Sequence, residues 1–342
     1  MKSKSTSFDI AHMAGVSQST VSRALNDSSL VNPETRERVK RIAAELNYKV
    51  DKNASNLRKQ QSSTLALLLF EDPTSDDSSI NPFFISMLGS ITKATAVAGY
   101  DLLVSFQNLG DDWHAVYEDS NKADGLILLG YGSFTDYEYK LTQLEEQQTR
   151  FLRWGAPDDN HPGISIGSDN YQGGVMITKH LLTLGHRRFA FIGECGIGAP
   201  ELKARYEGFL NALAQVCLPN NDVMQVDAIS TETAGFDAAN KILAYQQPDA
   251  IVCASDLMAV GAIRAIRAKG LHVPNDIAVV GYDNIQISEF CSPPLTTVQQ
   301  NTALAGKLLV TNLLKLINNE VVDDILMQPE LIVRKSCGID IR

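Results

Sequence analysis

Short apolar runs alternate with amphipathic stretches over most of this chain, from about residue 65 to residue 318. The apolar runs have the length and the Val, Ile and Leu content of buried strands: Leu65–Phe70, Asp101–Ser105, Gly125–Leu129, Phe151–Trp154, Arg188–Ile192, Asp222–Val226, Ala250–Ala254 and Ile277–Tyr282. The stretches between them predict helices: Phe84–Ala98, Tyr137–Gln148, Asn170–Leu184, Glu201–Ala214, Thr233–Leu243, Leu257–Lys269 and Thr302–Asn318. Continuous apolar strands that alternate with helices indicate parallel sheets covered on both faces. We therefore predict an α/β body.

The alternation falls into two runs, before and after about residue 165. Two such runs predict two similar lobes with a cleft between them. In open α/β sheets, a ligand binds beyond the carboxyl ends of the strands. Polar and aromatic side chains at the predicted strand ends are therefore the candidate ligand contacts.

Residues 8–47 follow a different pattern, with three short helical stretches. The first helix is predicted over Phe8–Ala14 and ends at Gly15. Ser17 can cap a second helix over Gln18–Leu25, because its hydroxyl can accept from a free backbone N–H in the first turn. Two short helices joined at a glycine indicate a helix-turn-helix, whose second helix presents its N-terminal side chains to base edges in the major groove.

A third helix is predicted with Asn32 as its cap and Pro33 at its first position. Once the apolar faces are packed, polar side chains of the second helix remain for DNA. Gln can pair with adenine and Arg with guanine, while hydroxyl and amide groups can reach phosphates. The predicted DNA contacts of the head are Ser17, Gln18, Ser19, Thr20, Ser22, Arg23 and Asn26.

Charge is distributed unevenly along the chain. The formal net charge is −10, which by itself argues against a nucleic-acid partner. Residues 1–62, however, carry eleven Lys and Arg against six Asp and Glu, a net charge of +5, so the remainder carries −15. A basic head on an acidic body is the charge distribution expected of a protein that binds DNA through its head.

The stretch Asp9–Asn26, followed by Val31–Val39 and Leu46–Tyr48, resembles the head of the LacI/GalR (lactose-repressor) family of bacterial transcription regulators. Further landmarks of that family spread over the body: Asn81–Phe84, Leu184–Arg188, Arg205–Phe209, Ala254–Gly261, Val280–Asn284 and Pro293–Val298. The resemblance implies an α/β fold class in which an all-α helix-turn-helix head precedes a two-lobe, periplasmic-binding-protein-like core with parallel sheets. It also implies that the core forms a homodimer.

On this basis the chain divides into a DNA-binding head at 1–49, a hinge helix and linker at 50–62, and a ligand-binding and dimerisation core at 63–342. In the family, the hinge helix enters the central minor groove. The matching residues here are Ala54, Leu57 and Arg58, with Leu57 as the apolar wedge between base steps. Val50 and Asp51 stand where the family usually has Pro and Asn; Asp51 can cap the hinge helix, but it places a negative charge near the DNA phosphates.

The resemblance also implies ligand contacts for Arg205, Asp283 and Ser255, and Asp256, which follows Ser255, is a further predicted contact. Aromatic rings at the predicted cleft edge can stack on a sugar ring, whereas planar polar groups bridge adjacent hydroxyls. The remaining predicted ligand contacts are Phe84, Gln107, Trp113 and Trp154. For each Trp, packing under a loop is an equally good interpretation. The predicted effector is a sugar or glycoside, although Ser255 and Asn284 depart from the family pattern and leave its identity open.

We expect no enzymatic activity, no cofactor and no metal, because no nucleophile–base pair, phosphate loop or metal-ligand spacing occurs in the sequence. The longest aliphatic run, Leu65–Leu69, is far shorter than a membrane span, and the first residues lack the apolar core of a signal peptide. We therefore expect a cytoplasmic repressor that binds double-stranded operator DNA and no membrane. A sugar-binding solute receptor without a DNA role and a sugar-processing enzyme are the alternatives. The sequence leaves open whether the effector releases or strengthens DNA binding, and whether a dimer or a tetramer forms.

Overall fold

The computed structural model describes residues 5–48, 61–70, 80–106, 110–130, 134–157, 162–196, 198–217 and 223–338, with the backbone alone for 134–136. Contacts divide the chain into two compact units, Met1–Ser62 and Ser63–Arg342. The predicted hinge residues Ala54, Leu57 and Arg58, and the ligand candidate Gln107, lie outside the described residues.

The first unit contains the three predicted helices: α1 (Ser7–Ala14), α2 (Gln18–Leu25) and α3 (Pro33–Glu45). Gly15 ends α1 in the left-handed region, with φ of 65°, a conformation that glycine adopts without steric cost. The helices enclose a small core of their own that includes Ile10, Val21 and Val39. The head is thus confirmed as an all-α helix-turn-helix with a third supporting helix.

In the second unit, one lobe is built on a fully parallel six-stranded sheet. Its strands are β1 (Thr64–Leu69), β2 (Asp101–Phe106), β3 (Gly125–Leu129), β4 (Phe151–Trp154), β5 (Ile164–Ser168) and β11 (Ile325–Met327), in the order β11-β5-β4-β3-β1-β2. Helices α4 (Pro82–Val97) and α11 (Thr302–Ile317) contribute to one core cluster of this lobe. A π-helical turn (His114–Asp119) and α5 (Phe134–Glu146) accompany the strands in a second cluster. We call this lobe 1.

The other lobe, lobe 2, is also built on six strands. They are β6 (Phe189–Ile192), β7 (Met224–Val226), β8 (Ala250–Cys253), β9 (Ala278–Asp283), β10 (Thr296–Gln299) and β12 (Glu330–Ile332), in the order β12-β10-β9-β8-β6-β7. All pairs are parallel except β10 with β12. The helices of lobe 2 are α6 (Asn170–Thr183), α7 (Pro200–Ala214), α8 (Glu232–Tyr245), α9 (Asp256–Ala268) and the short α10 (Ile287–Phe290). The predicted α/β class with two parallel-sheet lobes is confirmed.

The chain passes between the lobes three times, whereas the sequence pattern suggested a single division near residue 165. It leaves lobe 1 after β5, returns from β10 into α11, and crosses again between β11 and β12. The backbone N–H of Asp169 donates to the carbonyl oxygen of Met327 at 2.9 Å, so two of these crossovers are joined directly. The strands β5, β10, β11 and β12 were not predicted: β5 and β10 mix polar with apolar residues, and β11 and β12 have three residues each.

Glycines allow very close helix packing in lobe 2. A Cβ atom built at Gly208 on α7 would lie 2.0 Å from the carbonyl oxygen of Tyr171 on α6, and one at Gly174 would lie 2.1 Å from the carbonyl oxygen of Arg205. The two helix backbones therefore touch at these positions. This contact fixes where α7 presents its side chains to the space between the lobes.

Candidate functional site

The N-terminal end of α2 carries a cluster of hydroxyl groups. Ser17 caps the helix, because its side chain accepts from the Thr20 backbone N–H at 3.2 Å. Its Oγ also lies 2.8 Å from Ser19 Oγ and 2.9 Å from Thr20 Oγ1. Ser17 and Ser19 are exposed. This end of α2 therefore presents hydroxyl groups and a positive helix terminus together, which suits contact with phosphate or base edges.

The other candidates on α2 differ in how they are held. Gln18 Nε2 donates to Ser7 Oγ at 3.1 Å, which orients the amide against α1. Asn26 Nδ2 donates to the carbonyl oxygen of Ser22 at 2.9 Å and so helps to end the helix. Arg23 is exposed. Arg23 is thus the charged candidate on α2, and its exposed side chain is available to contact a guanine or a phosphate.

Ion pairs neutralise one carboxylate of the head. Asp27 lies 2.6 Å from Lys40 Nζ and 3.8 Å from an Arg36 guanidinium nitrogen. The hydrogen bond from Lys40 holds the pKa of Asp27 below its usual range. Asp27 therefore stays ionised and paired, and the excess of basic side chains in the head is left to attract a polyanion.

The second candidate site is centred on Arg205, on α7 in lobe 2. Its side chain is 2% exposed and it stacks over the Tyr282 ring at 3.8 Å. Nε donates to Asn170 Oδ1 at 2.8 Å, the guanidinium donates to the carbonyl oxygen of Ala254, and it lies 3.4 Å from Asp283 Oδ1. Arg205 therefore connects the ends of β8 and β9 with the start of α6. Its predicted contact with a ligand stays a prediction.

Asp283 is the last residue of β9 and has φ of 102°, which turns the chain sharply at the strand end. Its Oδ1 accepts from Gln300 Nε2 at 2.7 Å. Burial raises the pKa of Asp283 to about 6, although Arg205 and the hydrogen bond from Gln300 both oppose the rise. The arrangement is a buried carboxylate that would gain from further hydrogen-bond donors, such as the hydroxyl groups of a ligand.

Ser255 and Asp256 have structural contacts. Ser255 caps α9, since its hydroxyl accepts from the Met258 backbone N–H at 3.3 Å. Asp256 accepts from Thr297 Oγ1 at 2.6 Å and from the Ile285 backbone N–H at 2.8 Å, and it is fully buried. Burial and the neighbouring Asp283 raise the pKa of Asp256 well above its usual value. These contacts hold the loop that follows Asp283 in position. The ligand role predicted for Ser255 and Asp256 stays a prediction.

The aromatic candidates lie in different clusters. Trp113 is 1% exposed and packs with Phe70, ring centroids 5.6 Å apart, in the cluster beneath α5 and the π-helical turn. The packing interpretation therefore describes Trp113, whose ring has no free face for a ligand. Trp154 and Phe84 are also buried, but they belong to the other cluster of lobe 1, where Trp154 lies 6.0 Å from the Phe83 ring. The Trp154 ring thus packs against Phe83 in the core of lobe 1.

A cavity of about 610 Å³ lies beside Asp283. It is lined by residues of both lobes: Pro82, Phe83, Ile85, Ser86, Asp283, Asn284, Ile285, Gln286, Gln299, Gln300 and Thr302. Its volume is that of a small-molecule site, and seven of its eleven lining residues carry polar side chains. Of the predicted contacts, only Asp283 is among these lining residues, while Arg205 contacts Asp283 from within the lobe.

Sequence reasoning missed several residues of this wall, notably Phe83, Gln299 and Gln300. Asn284 Nδ2 donates to Gln299 Oε1 at 2.9 Å, and Arg334 donates to Asn284 Oδ1 at 2.9 Å, so the amides are held in fixed orientations. The signal available in the sequence was the polar pair Gln299-Gln300 directly after Leu295–Val298, in which Leu and Val flank two Thr. Because the strand β10 was not predicted, Gln299 and Gln300 could not be recognised as residues at a strand end.

Two further features bear on the kind of site. Within the described ranges, no group of three or more His, Cys, Asp or Glu side chains is arranged to hold a metal ion. Within the same ranges, no helix combines the length and apolar character that a membrane crossing requires.

Comparison with known proteins gives consistent results for both units. Residues 8–51 match the family model for bacterial regulatory proteins of the lacI family, and residues 178–337 match that for periplasmic binding protein-like domains. The chain is 34% identical over 339 residues to the HTH-type transcriptional repressor PurR of Pasteurella multocida (strain Pm70), covering 96% of this chain and 97% of that protein. It is 32% identical over 335 residues to PurR of Histophilus somni (strain 129Pt), with the same coverage.

Solved structures share the whole architecture. The lac repressor dimer bound to operator and the anti-inducer ONPF superposes with a TM-score of 0.82 at 27% identity, covering 97% of this chain and 99% of that one. The transcriptional regulator CelR in complex with cellobiose superposes with a TM-score of 0.70 at 29% identity and the same coverage.

Proposed function

The chain belongs to the LacI family of bacterial regulatory proteins and is a DNA-binding transcriptional repressor of that family, and we propose that a sugar or glycoside in the cavity between its lobes controls operator binding. Because its target is bacterial DNA, we place it in the cytoplasm. A ligand that prefers one lobe arrangement shifts the equilibrium between DNA-binding states, and the sign depends on which state it prefers.

One observation carries the effector proposal: the buried Asp283, held by Arg205 and Gln300, lines a cavity between the lobes that Phe83 and the amides of Asn284, Gln286, Gln299 and Gln300 also line. A carboxylate and carboxamides are the groups that accept from and donate to adjacent sugar hydroxyls, and an aromatic wall suits the apolar face of a sugar ring. The similar CelR holds cellobiose. A planar nucleobase is the competing ligand class, since the same ring and amides would also fit its face and edges.

The effector class is tested by a thermal-shift screen of the full chain with monosaccharides, with disaccharides including cellobiose, and with nucleobases. A ligand that binds the folded core raises the melting temperature by mass action. We expect sugars to produce the shift, with Asp283→Asn abolishing it and the surface variant Asp237→Asn leaving it intact. A shift with nucleobases alone would overturn the sugar proposal.

Operator binding is tested by fluorescence anisotropy with the promoter DNA upstream of the chain's own gene and with random DNA. Phosphate contacts by the basic head should make the affinity fall by about a thousandfold between about 50 and about 200 mM salt. Arg23→Ala should cost about 1–3 kcal/mol on the cognate DNA and reduce the preference over random DNA. The matched variant Arg41→Ala removes the same charge from exposed α3 and should leave that preference unchanged. Equal specificity in the two variants would refute base reading by Arg23.

We also propose a homodimer. Strand β2 lies at the edge of its sheet with Leu103, Val104 and Phe106 exposed, and Phe290 is 71% exposed on lobe 2. Exposed apolar side chains on an open sheet edge mark an association surface. The lac repressor is a dimer in its operator complex. Sedimentation should show a dimer that Phe106→Glu dissociates, whereas a monomeric wild-type chain would refute this arrangement.

A further inference from the structure

Asn284 follows Asp283 at the end of β9 and lines the cavity between the lobes. Its φ is 51°, in the left-handed region that Asn tolerates better than most residues. Its backbone N–H donates to Thr297 Oγ1 at 3.4 Å, and that hydroxyl donates in turn to the buried carboxylate of Asp256 at 2.6 Å. The backbone of Asn284 is thus held in place, and its side-chain amide is turned by hydrogen bonds of its own.

A guanidinium fixes which way that amide is turned. Arg334 Nη2 donates to Asn284 Oδ1 at 2.9 Å, and Ser288 Oγ donates to the same oxygen at 3.2 Å. The guanidinium is itself anchored, because its Nη1 donates to the carbonyl oxygen of Leu295 at 2.8 Å. Since a guanidinium can only donate, the oxygen of Asn284 must face Arg334, and Nδ2 must face away from it.

The orientation of Asn284 is passed on to Gln299, the last residue of β10. Asn284 Nδ2 donates to Gln299 Oε1 at 2.9 Å. Because an amide nitrogen can only donate, Gln299 must turn its oxygen toward Asn284 and its Nε2 away from it. No acceptor in the described part of the chain is hydrogen-bonded to this Nε2. Gln299 lines the cavity, so its N–H donors are available to a ligand there.

The next residue, Gln300, offers the opposite group. It is 3% exposed, and its Nε2 donates to Asp283 Oδ1 at 2.7 Å. Above about pH 7 Asp283, with its pKa raised to about 6, is ionised and can only accept. Gln300 Oε1 is therefore the end of the amide that has no hydrogen-bond partner among the described residues. The cavity wall thus carries donors at Gln299 and an acceptor at Gln300.

We propose that Asn284 is a positioning residue that determines the hydrogen-bonding polarity of the cavity wall at Gln299. With Asn at this position, Gln299 offers donors. An isosteric Asp would accept from both Arg334 and Gln299, and would turn the Gln299 oxygen toward the cavity. The effector therefore presents an acceptor to Gln299 and a donor to Gln300. This consequence for the effector rests on the proposed function, whereas the orientation of Gln299 is a property of the core alone.

The orientation is tested by NMR of the ligand-free full chain, labelled with nitrogen-15 in its glutamine side chains, at about pH 7.5. Gln299→Met identifies the Gln299 signals by their loss. In the wild-type chain we expect the Gln299 side-chain protons to exchange with water as readily as those of an exposed glutamine. In Asn284→Asp they should exchange about tenfold more slowly or slower still, and shift downfield, because they then donate to a carboxylate.

Asn319→Asp is the matched control for this measurement. Asn319 is exposed and has φ of 60°, so it takes the same charge change in the same backbone conformation. The control should leave the Gln299 signals unchanged. Protected Gln299 side-chain protons in the wild-type chain, or equal exchange rates in the wild type and Asn284→Asp, would overturn the proposal.

Effector selection is tested by thermal shift with glucose, galactose and cellobiose, each compared with its monodeoxyfluoro analogues. Fluorine can accept a hydrogen bond but donates none, so the wild-type chain should tolerate it in place of the hydroxyl that meets Gln299. Asn284→Asp should bind that analogue about tenfold more weakly than the parent sugar, because its Gln299 oxygen needs a hydroxyl proton, and Asn319→Asp should behave as the wild type.

A ratio of parent to analogue affinity that is the same in the wild type and Asn284→Asp at every position would overturn selection by residue 284. If none of the three sugars raises the wild-type melting temperature, the sugar proposal fails, while the NMR result still determines the polarity of the wall. The two failures are therefore distinguishable.

Discussion

Replacing Asp283 by Asn should stabilise the folded chain while removing its response to an effector. The pKa of Asp283 is raised from 3.8 to about 6, so the folded chain holds this proton more tightly than the unfolded chain does. At about 1.36 kcal/mol per pH unit, the ionised carboxylate costs about 3 kcal/mol of folding free energy above pH 6. Asn mimics the protonated form, keeps an oxygen for Gln300 and tolerates a positive φ, so it relieves that cost.

The sign of the pH dependence follows from the same pKa. Between about pH 4 and pH 6 the folded chain binds more protons at Asp283 than the unfolded chain, so wild-type stability falls as the pH rises through this window. The Asn variant lacks this contribution. Its advantage over wild type should therefore grow by about 1.4 kcal/mol from pH 5 to pH 7.5. Other buried carboxylates, such as Asp256, contribute to both profiles, and the difference between the two isolates Asp283.

Urea unfolding at 25 °C across this pH range measures the difference. Asp249→Asn is a control of opposite sign: burial raises the pKa of Asp249, but the hydrogen bonds from Arg188 and Arg187 outweigh it and leave the pKa lowered. Its Asn variant should be less stable than wild type at neutral pH, with the deficit shrinking in acid. An Asp283→Asn variant that is less stable at pH 7.5 than at pH 5, relative to wild type, would refute the reasoning.

Further changes have equally definite outcomes. Gly208→Ala should lower the free energy of unfolding by about 1–3 kcal/mol or more, because its Cβ would meet the Tyr171 carbonyl oxygen at 2.0 Å and force α6 and α7 apart; urea titration measures the loss, and an unchanged midpoint would contradict the packing. Ser17→Ala should cost about 1 kcal/mol of head stability by removing the α2 cap, seen as faster amide exchange in the head and not in the core. Burial, and then His186, lower the pKa of His180, so the folded chain should lose stability as the pH falls below about 6.5; His180→Gln should flatten that part of the profile, and a profile that keeps its slope would exclude His180 as the cause.

The elements with strong local signals were predicted closely. Helix α2 has the bounds that Ser17 and the apolar face indicated, and β3 and β4 coincide with their apolar runs. The Thr296–Gln299 strand escaped prediction because three of its four residues are polar, so it lacks the apolar run that marks β3 and β4. A parallel sheet is assembled from segments that are distant in sequence, so their pairing is set by tertiary packing.

Prediction of the residues that line the cleft is limited by tertiary packing in the same way. Asp283 could be placed at a strand end from the sequence, but Gln300 becomes part of the wall only through the crossover from β10 into α11. Trp113 illustrates the reverse case, since a residue at a predicted edge is covered by Phe70 and the π-helical turn. Whether an aromatic ring faces a ligand or the core depends on what packs over it, and one sequence alone does not contain that information.

The triple passage between the lobes also orders events during synthesis. The head, with its own core, is complete once residue 48 has left the ribosome, whereas α11, β11 and β12 come from residues 302–332. Until those residues emerge, both sheets lack a strand and the apolar face of α4 lacks its helical cover. A premature stop codon before residue 302 would release a chain whose head is finished and whose two lobes are both incomplete. The capacity to sense a ligand is therefore the last property that translation completes, well after the capacity to recognise DNA.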